Sequence, residues 1–224
     1  MQQYGPQLPQ TVRMELGVVC DHEHREAFSS KDDHEEYVVL FMRSVTLRFN
    51  FHTPKIQFRL VELRLTSKEE SNKLLGIEPQ SEGATGIIDD AIDGAKVLLN
   101  LEEFMKKSVI GNQRNVDVAY MITTRPNIKE YYDDGIYVFV PGMTYKDSVC
   151  TDYNVAIGWD DAKFYLGIDV AVRLLANMLG APWETNDTDC KFDEGFLMGN
   201  YMKYSQNSHQ FSECSKNGMR QTLR

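Results

Sequence analysis

Arg173-Leu174-Leu175-Ala176-Asn177-Met178-Leu179-Gly180-Ala181-Pro182-Trp183-Glu184 is the stretch that decides the fold. It reads as the second half of an apolar helix that stops at Gly180 and turns into a Pro-Trp segment. Upstream, the periodicity predicts a helix from about 161 to 179, with Phe164, Ile168, Ala171, Val172, Leu175 and Leu179 on one face. Downstream of Gly180 the chain reads as irregular until a short helix near the C-terminus.

Outward from this helix, the whole chain of 224 residues is long enough for one large domain, or one domain with a small lobe. Such a chain buries about 70% of its unfolded surface, so it does not depend on staples. The net charge of −9 leaves no basic surplus to displace counterions, which argues against a nucleic-acid partner. No apolar run approaches the roughly 18 residues that a membrane span requires. Residues 1–11 form a polar, Pro-containing tail with no apolar signal core.

From the N-terminus, Val12, Met14, Leu16 and Val18 alternate with polar or small residues and predict a first strand. Asp21-His22-Glu23-His24 reads as a charged strand-end turn, and all five histidines read as surface residues. A cap at Ser30 to Asp33 opens a helix over about 32–50, carried by Val38, Phe41, Met42, Val45 and Phe49 and stopped at Thr53-Pro54. Ile56, Phe58 and Leu60, then Leu63 and Leu65, make a second strand whose offset alternation suggests a bulge. Residues 68–97 are acidic, carry four glycines and show no sustained period, so they read as a surface insertion. Asn100 with Glu103 is read as the cap of a helix running to Gly111. Strands follow at 116–123, at 136–140 and at 155–159. This order divides the chain into an α/β lobe (12–180) and a loop-rich lobe (181–224) with a cleft between them.

The spacing of the opening stretch resembles the zinc helix of the metzincin metalloproteases, H-E-x-x-H-x-x-G-x-x-H followed by an acid. Gly180 falls on the motif glycine and Glu184 on the trailing acid. Gly195-Phe196-Leu197-Met198-Gly199 resembles the family's Met-turn, centred here on Met198. Phe211-Ser212-Glu213-Cys214-Ser215 resembles the ending of the reprolysin (adamalysin) branch. Gly135 to Val140, then Cys150, then Tyr153 to Ile157 match that branch in order. The resemblance, strongest toward short secreted metalloproteases of arthropod saliva and venom, implies an α/β (α+β) fold. Its sheet would be twisted, five-stranded and mostly parallel, with an antiparallel edge strand, long helices and a small irregular C-terminal lobe.

At the motif's three ligand positions stand Arg173, Asn177 and Trp183, with Leu174 in place of the general base. Arg173 has no lone pair to give, Trp183 is a donor only, and Asn177 offers one weak carbonyl oxygen. No zinc and no zinc-dependent hydrolysis are therefore expected; the resemblance then implies a secreted pseudoprotease that binds a host or other protein partner. Arg173 is expected to pair with Glu184 or another acid in a fork-like ion pair. Ile136, Tyr137, Val138, Phe139 and Val140 fall where the family has its peptide-binding edge strand. The family's pattern also implies a Cys150–Cys214 disulfide, with Cys20 and Cys190 either paired or both free. It implies a structural calcium on Glu15, Asp117, the Cys214 carbonyl and Asn217. Asn186-Asp187-Thr188 is a glycosylation sequon. Two other readings stand beside this one: a hydrolase using another metal or site, for instance at His22 and His24, and a structural secreted protein with no specific partner.

Overall fold

The first strand, β1 (Thr11–Cys20), sends Met14, Leu16, Val18 and Cys20 into one core and Val19 into another. Strand side chains alternate between faces, so a strand apolar on both belongs inside a sheet covered on both sides. The computed structural model shows that arrangement, and describes residues 8–51, 54–77, 91–107, 116–187, 189–200, 203 and 205–224.

After β1 come α1 (His22–Glu26), α2 (Lys31–Arg48), β2 (Lys55–Leu65), α3 (Lys68–Leu75), β3 (Ile92–Asp93) and α4 (Gly94–Lys107). Then follow β4 (Val118–Thr123), β5 (Ile128–Tyr131), β6 (Tyr137–Val140), β7 (Gly142–Thr144), β8 (Val155–Trp159), α5 (Ile168–Met178) and α6 (Glu213–Thr222). The main sheet has five strands in the order β2-β1-β4-β8-β7, all parallel except β7, which runs antiparallel to β8 at the edge. This is the mostly parallel sheet with an antiparallel edge that the sequence leads one to expect. One face packs on α2 and α5 and the other on α3 and α4.

Local chemistry sets several boundaries. Ser30 Oγ accepts from the Asp33 amide at 3.1 Å and opens α2, whose Tyr37, Val38, Phe41, Met42 and Val45 point inward at helical spacing. The bulge expected in the second strand is present: Leu16 pairs with Leu60 but Gly17 with Glu62, so Val61 is the extra residue.

The insertion expected over 68–97 is in large part built structure. Ser67 and Glu70 form a reciprocal capping box that starts α3, and Gly76 ends it in the left-handed region at φ 67°. Leu74, Leu75, Ile92, Val97 and Leu98 join Leu101 in the second core. A helix of eight residues is too short to show a sustained period, which is why the sequence concealed it. Residues 78–90, with Gly83 and the Gly86 to Ile88 segment, lie outside the described residues. Asn100 is not a cap: α4 begins at Gly94, with Asp93 Oδ1 accepting from the Lys96 amide. Asn100 instead donates from Nδ2 to the Lys73 and Leu74 carbonyls, closing the open end of α3.

Two further expectations are corrected. Tyr137 to Val140 form β6, which pairs with β5 in a separate three-stranded sheet of order β3-β5-β6; the edge of the main sheet is β7. Pro141 separates the two strands. Gly142 then lets α5 approach, since a Cβ there would lie 2.6 Å from Leu174 Cδ1 and 2.7 Å from the Ile157 carbonyl. The disulfide joins Cys190 to Cys214, with Cα atoms 6.1 Å apart, and not Cys150 to Cys214. Cys150 is an exposed free thiol, held by its amide on the Asp117 carbonyl, and Cys20 is a buried one.

The Cys190–Cys214 bridge closes a loop of 24 residues in sequence separation. Cys190→Ser is expected to cost about 3 kcal/mol of stability, read as a lower Tm. Cys150→Ser is expected to leave Tm unchanged, the opposite of the order that a Cys150–Cys214 bridge would give.

Candidate functional site

The cleft lies where α5 crosses β7. It is a cavity of about 410 Å³ bounded by Tyr132, Pro141, Gly142 and Thr144 on one side and by Arg173, Asn177 and Trp183 on the other. The helix that carries the last group ends at Gly180, whose φ is 97°. A Cβ there would lie 2.1 Å from Thr222 Oγ1 and 2.5 Å from Asp147 Oδ1, so both the backbone conformation and the approach of α6 exclude a side chain. Gly180 thus turns the chain sharply enough to bring Trp183 back over the last turns of α5.

That return places Trp183 against Arg173. The guanidinium carbon sits 4.9 Å from the ring centroid, a cation–π stack between two of the three motif ligand positions. Asn177, the other position, is 3% exposed and donates from Nδ2 to the Ala181 carbonyl at 2.9 Å. Its backbone carbonyl accepts from the Gly180 and Asp147 amides. Leu174 packs on Gly142. Glu184, the acid named first as a partner for Arg173, feels the Arg173 charge as the smallest of the influences on its carboxyl.

Glu184 turns away from the cleft into the C-terminal lobe. Its amide donates to the Met198 carbonyl at 3.0 Å, and Oε1 accepts from Ser215 Oγ at 3.2 Å. Oε2 is buried with no hydrogen-bond partner among the described residues, beside Gly199, whose Cβ would lie 2.8 Å away. Met198 and Leu197 lie buried in the main core beneath α5. Burial raises the Glu184 pKa above the ordinary carboxyl range, against hydrogen bonds from Ser212 and Ser215 and the charge of Arg173.

The residues singled out for calcium each have identifiable partners. Glu15 and Asp117 meet across β1 and the start of β4: the Glu15 amide donates to Asp117 Oδ2 at 2.7 Å, and the Asp117 amide to the Glu15 carbonyl. On α6, the Asn217 side-chain oxygen accepts from Arg220 at 2.8 Å. Asn186 is exposed on the C-terminal lobe.

Sequence reasoning missed a buried polar centre at the end of β8. His24 and His34, read as surface residues, are fully buried and 2.9 Å apart through Nδ1 and Nε2. His24 Nε2 lies 3.2 Å from Asp160 Oδ2, which also accepts from Tyr37 Oη and the Ala162 amide; Oδ1 accepts from the Gly167 amide. The one available signal was Asp21, whose Oδ1 caps α1 at the His24 amide and rotates that histidine inward.

A mostly parallel sheet with one antiparallel edge, a helix ended by a left-handed glycine and a buried methionine turn define a metzincin-like metalloprotease fold. Residues 86–224 match the Reprolysin (M12B) family zinc metalloprotease, and the chain belongs to that family. It is 24% identical over 220 residues to venom metalloproteinase BumaMPs1 of Olivierus martensii, an alignment that covers 95% of this chain and 53% of that protein. The chain thus spans about half the length of the curated relative it matches. A family zinc needs three lone-pair donors on this helix and a following segment. Arg173 and Trp183, stacked on each other, have no lone pair to offer and Asn177 has one amide oxygen, which does not make that set.

Because the folded Glu184 pKa is raised, its contribution to stability is present below the ordinary carboxyl range and is lost as pH rises through the raised value. Tm measured from acid to neutral pH should therefore show Glu184→Gln gaining on the native chain as pH rises. A gap that narrows would contradict the burial assigned to this carboxyl.

Proposed function

We propose that this chain is a metalloprotease-like domain that binds an extended polypeptide in the cleft without hydrolysing it. The observation that carries the reading is the Arg173–Trp183 stack, which puts a cation and an indole where a metal would need two ligands. Leu174 offers no base to take a proton from water. The cleft keeps the features that serve binding alone. β7 is the terminal strand of the sheet. The Trp159 amide donates to the Pro141 carbonyl, and hydrogen-bonded residues alternate along an antiparallel ladder. Gly142 and Thr144 therefore turn their backbone groups to the open side, where an added strand would pair.

The same proposal includes the wider setting. The binding lobe is 12–180, the lower lobe 181–224, and 1–11 a tail. The chain acts outside the cell on a protein partner, as its likeness to a venom protein suggests, with Asn186 as a glycan site. A structural calcium would rest on Glu15, Asp117, the Cys214 carbonyl and Asn217, with Arg220 releasing Asn217. Among the described residues no helix is long and apolar enough to cross a membrane.

Trp183 is 43% exposed at the mouth of the cleft and reports on it directly. Titration of the full chain with a set of extended peptides is expected to give a saturable change in tryptophan emission for some of them. Trp183→Phe should abolish the signal, and Arg173→Ala should weaken binding about tenfold, the loss of one desolvated cation–π or charged contact. Peptides that leave the emission unchanged at millimolar concentration would remove the binding reading.

A further inference from the structure

We propose that Cys20, His24 and His34 form a metal site, separate from the cleft, that takes a thiolate- and imidazole-seeking d10 cation, zinc or copper(I). The three residues come from three elements: the last residue of β1, the middle of α1 and the first turn of α2. Each offers one ligand atom, Cys20 Sγ and one ring nitrogen of each imidazole, and these lie within 4.8 Å of one another. All three residues are completely buried. Ligand bonds of about 2.0–2.3 Å put sulfur and nitrogen of one site about 3.6 Å apart, so a contraction of about 1 Å closes the set.

The surrounding hydrogen bonds prepare the lone pairs. Asp160 is a buried carboxylate that receives Tyr37 Oη and the amides of Ala162 and Gly167. It takes the Nε2 proton of His24, so Nδ1 of that ring accepts from His34 Nε2–H at 2.9 Å until a cation takes that lone pair. A carboxylate behind a histidine in this way fixes the tautomer and strengthens the ring as a ligand. His34 has a second signature: its Nδ1 is buried and has no hydrogen-bond partner among the described residues. In a satisfied polar core such an atom is uncommon.

Charge points the same way. Burial, with Asp21 and Asp160 close by, holds the Cys20 thiol protonated, its pKa well above the ordinary value. Burial, together with His24 and Arg25, holds His34 neutral, its pKa lowered to about 4. The same negative surroundings that oppose a bare thiolate favour a thiolate with a cation on it. Binding releases one proton, from Cys20, and forms one metal–sulfur and two metal–nitrogen bonds. Among the described residues the group holds three ligand atoms and no fourth; the nearby Asp21 accepts from the His24 amide and the Thr123 hydroxyl. Three protein ligands in a closed site suit copper(I) as found; zinc needs a small ligand as its fourth. Since the site is closed, the cation enters as the chain folds.

The test uses the full chain, stripped with a chelator in denaturant and refolded in separate arms with zinc, cobalt(II) as zinc's spectroscopic stand-in, or copper(I). After desalting, one zinc or one copper per chain is expected, with a raised Tm and, for cobalt, a thiolate charge-transfer band. X-ray absorption of the native chain should show one sulfur and two nitrogen neighbours, a readout that does not depend on any variant folding. Cys20→Ser and His34→Gln should each lower metal affinity at least about 100-fold, while Asn177→Ala in the cleft should leave it unchanged. No retained metal in any arm, metal bound without sulfur, or full retention in Cys20→Ser would overturn the assignment.

Discussion

Asp160 is a carboxylate with no exposure to solvent, and the fold is arranged to satisfy it. It stands at the end of β8, the strand beside the cleft edge. Four donors converge on it from α1, from α2 and from the turn that leads into α5. Burial by itself would raise its pKa; hydrogen bonds from His24, Gly167, Tyr37 and Ala162 outweigh that and hold it below the ordinary value. A buried charge left without partners costs several kcal/mol, so these contacts are obligatory once the sheet has closed. The Gly167 amide is one of them, and the Gly167 carbonyl then accepts from Ala171 in the first turn of α5. The helix that carries the cleft residues is thus positioned from its start by a buried carboxylate at the end of β8.

This explains how the family's frame persists in a chain whose motif residues differ. Among the described residues, protein groups alone fix α5. Gly142 admits the helix to the sheet edge, and Gly180 ends it where α6 comes close. The Glu184 amide ties the following segment to the Met198 carbonyl, and the carboxyl reaches Ser215 beside the Cys190–Cys214 bridge. The C-terminal lobe packs Leu197, Met198, Phe211 and Met219 into the same core as α5. With the framework held in this way, positions 173, 177 and 183 are free to carry residues that stack and hydrogen-bond.

Much of this was legible in the sequence where period and punctuation act locally. The strand from 155 to 159 and the helix opened by Ser30 depend on neighbours a few residues away. The bulge opposite Gly17 appeared as a broken alternation in β2. Features fixed by distant partners were not legible. Phe164, placed on the buried face, is exposed because α5 starts at Ile168, after the turn that Asp160 and Asp161 cap. Polar residues such as His24, His34 and Asn100 read as surface or cap; two of them complete a core and the third closes a neighbouring helix. The expected Cys150–Cys214 pairing was carried over from the family's pattern, but Cys190 is the partner of Cys214 in the small lobe while Cys150 stays at the start of β4. The motif frame itself was legible because Gly180 and Glu184 are required by backbone geometry and burial.

The most direct measurement is proteolysis by the full chain, supplied with excess zinc and an unfolded protein substrate, followed by mass-spectrometric search for new chain ends. The account predicts no new ends beyond those formed with chelator present. New ends that depend on zinc, vanish with chelator and are suppressed by Asn177→Ala would contradict it, because they would place a working metal on the helix that Arg173 and Trp183 now cover.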